Sequence, residues 1–334
     1  MSIIWCGGED VDFLTLQDIV YSYTTAYRRA NYSRVAMEVA ATWGSYLLSP
    51  YITPVSSVWM HCFLRVGSWG ASTSYITMSM RKFASNTHIG IGPVDNGDLS
   101  IIKYDGVYTT LASAVSPGMG DGTLHLIDVQ IINYGPSGTV KVWNNGTLCM
   151  SYTGAIAGNG ETTLDQFYIY GSDYASHPWG HYSEMIVADE DTRAMSLKTL
   201  VPEAAGDANE WTGAYTDVDE VETDDADYIY TFDGSKSLQL NLTGSPVGIH
   251  KIKAVKVIGR IVASNPRLDV KLGVKTNSVV HLGNQRGLSP SFQPYNEMFQ
   301  SNPETASDWT ESDIDSLQIA FQTVSTTTST TTTT

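Results

Sequence analysis

Few residues in this chain have both the type and the spacing for chemistry. His177 and His181 stand four apart, a spacing that ligates a metal on a helix, but Pro178 and Gly180 force a loop there. They read as packing histidines. Trp179, with Tyr174 and Tyr182, forms either an aromatic platform for a sugar ring or a roof over a β-sandwich. Glu184 is a lone acid in a strand-like run, and Asp189, Glu190 and Asp191 are consecutive, which suits a solvated turn. A retaining glycoside hydrolase needs two carboxylates about 5–5.5 Å apart. On a strand, that arrangement starts from acids at i and i+2 or i+4, because alternate side chains share a face. No aromatic-rich strand offers such a pair. A Gly-x-Ser-x-Gly elbow, a phosphate-binding loop and a His-Glu-x-x-His motif are also missing. The expectation is a chain that is not an enzyme, with no catalytic residue, cofactor or metal. Were it a glycan-degrading enzyme, Glu184 would be the acid to replace.

Charge is segregated late in the chain. Glu203 to Asp227 holds ten acids and no Lys or Arg, while Lys251 to Lys275 holds seven bases and one acid. The core of the acidic stretch, including Asp217, Asp219 and Glu220, has the oxygens Ca²⁺ prefers. It lacks the Gly and the bidentate Glu of an EF-hand loop. A solvated loop, or one that faces the basic strands of a neighbour, fits better. Lys251, Lys253 and Lys256 alternate with apolar residues. Acid and base in one small domain permit electrostatic self-complementarity between identical copies.

The elements that must position these residues are nearly all strands. Short runs rich in Val, Ile, Tyr, Thr and Trp are separated by Gly, Asn, Asp and Pro. They are Ser57–Val66, Ser72–Arg81, His88–Ile91, Leu99–Tyr104, Val107–Leu111, Gly122–Tyr134, Gly138–Trp143, Thr147–Tyr152, Leu164–Tyr170 and Tyr182–Val187. The second half adds Tyr228–Phe232, Ser237–Leu242, Gly248–Ala263, Arg267–Thr276 and Ser278–Leu282. Asn144-Asn145-Gly146 supplies residues tolerant of positive φ and predicts a hairpin. Only Gln17–Tyr23 and Asp313–Phe321 are compatible with helix. The pattern predicts an all-β protein: a jelly roll over residues 1–200, a second, smaller β-sandwich over 201–325, and a Thr-rich tail over 326–334.

Composition narrows the function classes. The chain has 334 residues, a formal net charge of -16, and only 16% charged residues. Phosphate-backbone binding needs Lys and Arg to displace counterions, so a nucleic-acid partner is excluded. At 42% hydrophobic, the chain is not disordered. No apolar run reaches the roughly 18 residues of a membrane span, so no membrane insertion is expected. Met1–Asp12 lacks the features of a secretory signal, so synthesis in a cytoplasm is expected. The scattered cysteines Cys6, Cys62 and Cys149 then read as reduced thiols, and the triplets at Asn31, Asn145 and Asn241 as chance glycosylation matches.

Several segments in order carry a resemblance. They are Ile4-Trp-Cys-Gly-Gly-Glu-Asp-Val-Asp-Phe13, then Tyr182-Ser-Glu-Met-Ile-Val-Ala-Asp-Glu-Asp-Thr-Arg193 followed by Leu200-Val-Pro202. Ala205-Gly-Asp-Ala-Asn-Glu-Trp-Thr212 and Asp308-Trp-Thr-Glu-Ser-Asp-Ile-Asp-Ser-Leu-Gln318 complete the set. This order resembles structural proteins of tailed bacteriophages, in which a concanavalin A-like (laminin G-like) jelly roll precedes a small β-domain. The resemblance implies a virion protein, assembled in the host cytoplasm, whose partners are other virion proteins and copies of itself. A tail appendage (fibre, collar or fibre-attachment subunit) is the first expectation. A capsid decoration protein, or a module adsorbing to host-surface polysaccharide, is the alternative. Trp5, beside flexible glycines, is expected to dock on the second domain or on a partner.

Overall fold

The computed structural model describes residues 2–8, 12–13, 15–17, 20–24, 28, 32, 36–39, 46–66, 77–94, 98–114, 122–170, 180–219, 224–245, 251–264 and 267–326. The chain divides into two compact units, Met1–Thr199 and Leu200–Thr334.

In chain order, the first unit begins with β1 (Ile3–Gly7), β2 (Thr15–Gln17), β3 (Val20–Thr24), β4 (Ala36–Val39) and β5 (Tyr46–Leu48). Next come β6 (Val58–Val66), β7 (Met78–Lys82), β8 (Thr87–Val94), β9 (Asp98–Tyr104) and β10 (Tyr108–Ala114). The last five are β11 (Leu124–Ile132), β12 (Gly138–Asn144), β13 (Thr147–Gly154), β14 (Gln166–Tyr170) and β15 (Gly180–Ala188). They form two antiparallel sheets. One has eight strands, ordered β13-β12-β11-β6-β15-β4-β3, with β1 also on β15; the other has seven, ordered β10-β9-β8-β7-β14-β5-β2. This is the two-sheet jelly roll that the alternating pattern predicts.

The sheets pack face to face because one phase of each strand is apolar. Met60, Leu64, Ile127, Val129 and Ile131 from the eight-stranded sheet meet Met78, Met80, Ile89, Ile91, Phe167 and Ile169 from the seven-stranded one, all essentially buried. Trp5 belongs to this core. It is 3% exposed, and its ring lies 5.3 Å from Phe13 and 5.3 Å from Phe167. The docking role expected of Trp5 is therefore corrected: pairing of β1 with β15 points the indole inward instead of leaving it on a free arm. The predicted hairpin joins β12 to β13, with Asn145 at φ 49° and Gly146 at φ 77°, both positive as a type I′ turn requires.

The second unit holds β16 (Pro202–Asn209), β17 (Ser237–Leu242), β18 (Val255–Ile261), β19 (Leu268–Thr276), β20 (Val279–Gly287), β21 (Gln293–Phe299) and β22 (Gln318–Ser325). A five-stranded sheet, β16-β17-β22-β19-β20, and a β18-β21 ribbon share a core of Leu238, Leu240, Val257, Val270, Leu272, Val274, Trp309 and Phe321. Three local expectations change. The described residues of Gln17–Tyr23 are strand, not helix: Gln17 ends β2 and Val20 to Tyr23 belong to β3, since neighbouring strands offer pairing. In Asp313–Phe321, only one helical turn forms (α1, Glu311–Asp315), capped by Thr310; the rest pairs as β22 between β17 and β19. Tyr228–Phe232 makes a single bridge, Tyr230 to Thr212, instead of a strand.

Candidate functional site

The side chains singled out from sequence do not gather. Tyr174, His177, Trp179 and Glu220 lie outside the described residues. Tyr182 is 2% exposed and belongs to the core, so it is not available as a sugar platform. His181 is buried beside Arg65, its cross-strand partner. Burial first, and the Arg65 charge second, push its pKa down to about 4. Glu184 is fully buried at a bulge in β15, with φ 51°, and its Oε2 accepts a hydrogen bond from the Leu197 amide at 3.2 Å. It is an internal bond acceptor, not an open catalytic acid.

In the second unit, acids and bases meet within the unit. Arg260 donates two bonds to Asp225 (2.7 and 2.8 Å), Lys251 lies 3.3 Å from Asp308, Lys236 lies 3.4 Å from Glu210, and Lys275 pairs with Asp207. Asp217 Oδ2 accepts from the Ala214 amide, bracing the turn Tyr215–Asp217. Asp219 sits in the loop after it, Lys253 just before β18, and Lys256 on β18. Among the described residues, no three His, Cys, Asp or Glu side chains converge as metal ligands.

A denser arrangement lies on the outer face of the seven-stranded sheet. Directly paired residues in an antiparallel sheet project to the same side. The register therefore places Gln166, Arg81, His88, Tyr104 and Tyr108 in one row across β14, β7, β8, β9 and β10. The next row runs Tyr168, Ser79, Gly90 and Ile102. The third holds Gly92 and Ser100, with Tyr170 paired to Tyr46 on β5. Small residues floor the middle: Ser79 and Ser100 are fully buried, and Gly90 has no room for a side chain. A Cβ there would stand 2.1 Å from the Met78 carbonyl oxygen. Around the floor stand rings and charge. Tyr46 stacks on Tyr168 (5.8 Å) and Tyr168 on Tyr170 (5.8 Å), while His88 meets Tyr168 edge-on at 4.9 Å and Tyr104 at 5.6 Å. Tyr104, Tyr46 and Tyr170 are half-buried, and Tyr108 is exposed.

The electrostatics of this row are unusual in one respect. Arg81 is 9% exposed, yet its bonds go to a neutral amide, Gln166 Oε1, at 2.8 and 2.6 Å. Its guanidinium lies 5.1 Å over both Tyr168 and Phe83. The nearby carboxylate, Asp165, is taken by Lys82 at 2.7 Å. Burial lowers the Arg81 pKa from its ordinary value, but a guanidinium stays charged. Gln166 is itself fixed, donating from Nε2 to the Ser49 carbonyl at 2.7 Å. His88 is neutral: burial, then the Arg81 charge, push its pKa down to about 3. Asn86 Oδ1 accepts from His88 Nε2 at 3.0 Å, which leaves the Nδ1 lone pair facing the Ser79 hydroxyl at 3.5 Å. A buried cation without an acid, beside a neutral imidazole, can bind an anionic group and take a proton next to it.

The eight-stranded sheet also carries polar groups on its outer face. His61 and Asp128 are cross-strand partners, both fully buried, with Nδ1 and Oδ1 2.9 Å apart. Thr192 donates to the same Asp128 oxygen at 2.8 Å, and Arg193 lies over the stacked Trp59 and Trp143 rings (5.6 and 4.9 Å). The chain after β15 thus closes this face over its own acid.

No family model matches the chain, and no curated protein matches it. Some solved structures are similar. An endo-β-1,4-glucuronan lyase from the fungus Trichoderma reesei is 13% identical, with a TM-score of 0.42 over 57% of this chain and 96% of that one. Cellulose induced protein Cip1 is 13% identical, with a TM-score of 0.39 over 55% and 94%. Alginate lyase Aly36B is 11% identical, with a TM-score of 0.35 over 59% and 100%. The fold rests on the two antiparallel sheets themselves, and no residue role is carried over from these structures. The expectation of a chain that is not an enzyme is not kept; two of these three structures are lyases. The physical reason is plain. Paired carboxylates are a requirement of glycoside hydrolysis, whereas elimination needs a base and a cation.

Proposed function

We propose that the outer face of the seven-stranded sheet binds an acidic polysaccharide and cleaves it by β-elimination. The observation that carries this reading is Arg81, a nearly buried cation with no carboxylate on it, in register beside the neutral His88. A uronate carboxylate accepting from Arg81 would neutralise that buried charge, and its own negative charge would be balanced as the adjacent carbon loses a proton. His88 Nδ1 takes the C5 proton, and the C5–H electron pair becomes the C4=C5 double bond. The C4–O bond breaks, and the leaving oxygen takes a phenol proton. Tyr104 and Tyr168, one on each side of the imidazole, are the donors at hand. The tyrosines supply stacking faces for sugar rings.

The test is incubation with polyguluronate, polymannuronate, glucuronan and polygalacturonate, following the ultraviolet absorbance of the unsaturated product. Absorbance should rise with at least one polymer and fail to rise with His88→Gln. No retention of any of these polymers on the folded chain would overturn the reading.

We also propose, on the phage-like segments alone, that the chain is a virion component in which this face engages host-surface polysaccharide. A tail appendage is favoured over capsid decoration, because adsorption places such a face at the particle's tip. Locating the chain in an asymmetric particle reconstruction tests this.

A further inference from the structure

The second unit carries an aromatic run that the sheet site does not involve. Phe232, Tyr230 and Tyr228 are exposed at 69%, 40% and 49%. They are alternate residues of one segment, which brings them to one side where the chain is extended. Their rings follow one another: Phe232 to Tyr230 at 5.3 Å, Tyr230 to Tyr228 at 6.1 Å, and Tyr228 on to Phe292 at 6.2 Å. Large exposed aromatics in a contiguous patch mark an interaction surface. Successive rings are tilted by 59°, 67° and 58°, so they present no flat platform for sugar faces.

The surroundings say what would sit there. Residues 217–233 contain eight acids and no Lys or Arg. Asp224, Asp225, Asp227 and Asp233 are all exposed. At the Phe292 end, the chain already seats one cation. The Arg260 guanidinium lies 5.7 Å over that ring while donating to both oxygens of Asp225. Among the described residues, no cation lies over the other three rings. We propose that this strip docks an arginine-bearing segment of a partner protein. Its guanidinium groups would lie over Tyr228, Tyr230 and Phe232 as Arg260 lies over Phe292, with Asp224, Asp227 and Asp233 as counter-ions.

The probe is a fluorescent octapeptide of alternating Arg and Ser, with Lys–Ser and Gln–Ser versions beside it, titrated into the full chain and read by anisotropy. The Arg peptide should bind more tightly than the Lys peptide, and the Gln peptide should not bind. Phe232→Ser with Tyr230→Ser should weaken the Arg peptide by about tenfold or more, while Phe232→Ser alone, at the most exposed ring, should weaken it by less. Asp227→Asn with Asp233→Asn should weaken it and flatten its salt dependence. Equal binding to the double aromatic variant would leave only bulk charge and overturn the proposal. So would absence of binding, or sedimentation showing that a second copy of the chain covers the strip. None of these readouts depends on the sheet site or its activity.

Discussion

The outer face of the eight-stranded sheet carries His61 on β6 and His181 on β15, and that of the seven-stranded sheet carries His88 on β8; His61 and His88 make the contrast. His61 faces a carboxylate, Asp128, and the chain beyond β15 bonds to that carboxylate through Thr192 and covers it. His88 faces an amide and a hydroxyl, and its charged neighbour is a cation bonded to an amide. Both faces bury polar groups against tryptophan or tyrosine rings. One completes its electrostatics with its own acid. The other balances a guanidinium against neutral groups, and an anion is what such a site lacks. Sealing by the chain's own acid marks structure, and an unmatched charge among rings marks a binding face.

The sharpest way to break this contrast is to exchange the two losses. His88→Gln should lower the elimination rate by about 10²- to 10⁴-fold, the usual contribution of a positioned general base. It should leave the melting temperature nearly unchanged. Asp128→Ala leaves His61 and Thr192 without their buried partner and should cost about 3–5 kcal/mol. For a unit of this size that lowers Tm by roughly 10 °C, with kcat/KM unchanged well below the transition. Parallel rate and calorimetry series decide it. If Asp128→Ala kills activity in a fully folded protein, or His88→Gln mainly unfolds it, the faces have been assigned the wrong way round.

Acid pH tests both faces at once. Folding holds His88 down to about 3 and His181 down to about 4, against an ordinary 6.5 in the unfolded chain. Between about pH 6.5 and 4 the unfolded state takes up protons that the native state refuses. Stability therefore falls as pH falls through that window and is unaffected by these groups above it. Each unit of separation corresponds to about 1.4 kcal/mol, so the two histidines together account for several kcal/mol. Urea midpoints measured from pH 7 to 4 should decline, and less steeply in His88→Gln. The same depression keeps His88 unprotonated, so the acidic limb of kcat/KM should lie well below pH 6. A limb near 6.5 would remove His88 as the base.

Arg81→Met probes the unmatched charge directly. Removing a buried cation that has no acid relieves its desolvation but leaves Gln166 Oε1 without its donors, so stability should fall by no more than about 1–3 kcal/mol. Retention of an acidic polysaccharide should fall by about 10- to 100-fold, the worth of charged hydrogen bonds. A larger loss of stability with retained binding would mean that the guanidinium is a structural member after all.

The sequence made the sheets legible and the site nearly illegible. Period-two alternation in Ser72–Arg81 and the Asn145-Gly146 turn mark strands and hairpin without any partner in view. The site is a register effect. Gln166, Arg81, His88, Tyr104 and Tyr108 lie on five strands, and only pairing puts them in one row. A partial signal is present in the polar phase of the alternation: Ser79 and Arg81 alternate with core Met78 and Met80, and Gln166, Tyr168 and Tyr170 alternate with Phe167 and Ile169. Pairs of acids do not mark it, because the chemistry here rests on Arg, His and Tyr. Trp5 misled for a related reason. Its flanking glycines look like a loose arm until β15 supplies a partner.

Two glycines give the smallest and most local version of the contrast. Gly146 sits at φ 77° with nothing within 4 Å of a would-be Cβ, so Gly146→Ala costs only backbone strain, about 1 kcal/mol. That loss should appear in the urea midpoint and leave polysaccharide binding untouched, since the turn lies on the eight-stranded sheet. Gly90 has an ordinary backbone but no space, with Met78 oxygen at 2.1 Å and Ser79 at 2.6 Å from the added carbon. Gly90→Ala must push β7 and β8 apart, which costs about 1–3 kcal/mol in a packed region. It also moves Arg81 relative to His88, because both belong to the separated pair. If the row is the site, Gly90→Ala reduces binding more than its stability loss accounts for, measured at a temperature where both variants are folded. Equal retention by both glycine variants would mean that the close approach of β7 and β8 serves packing alone.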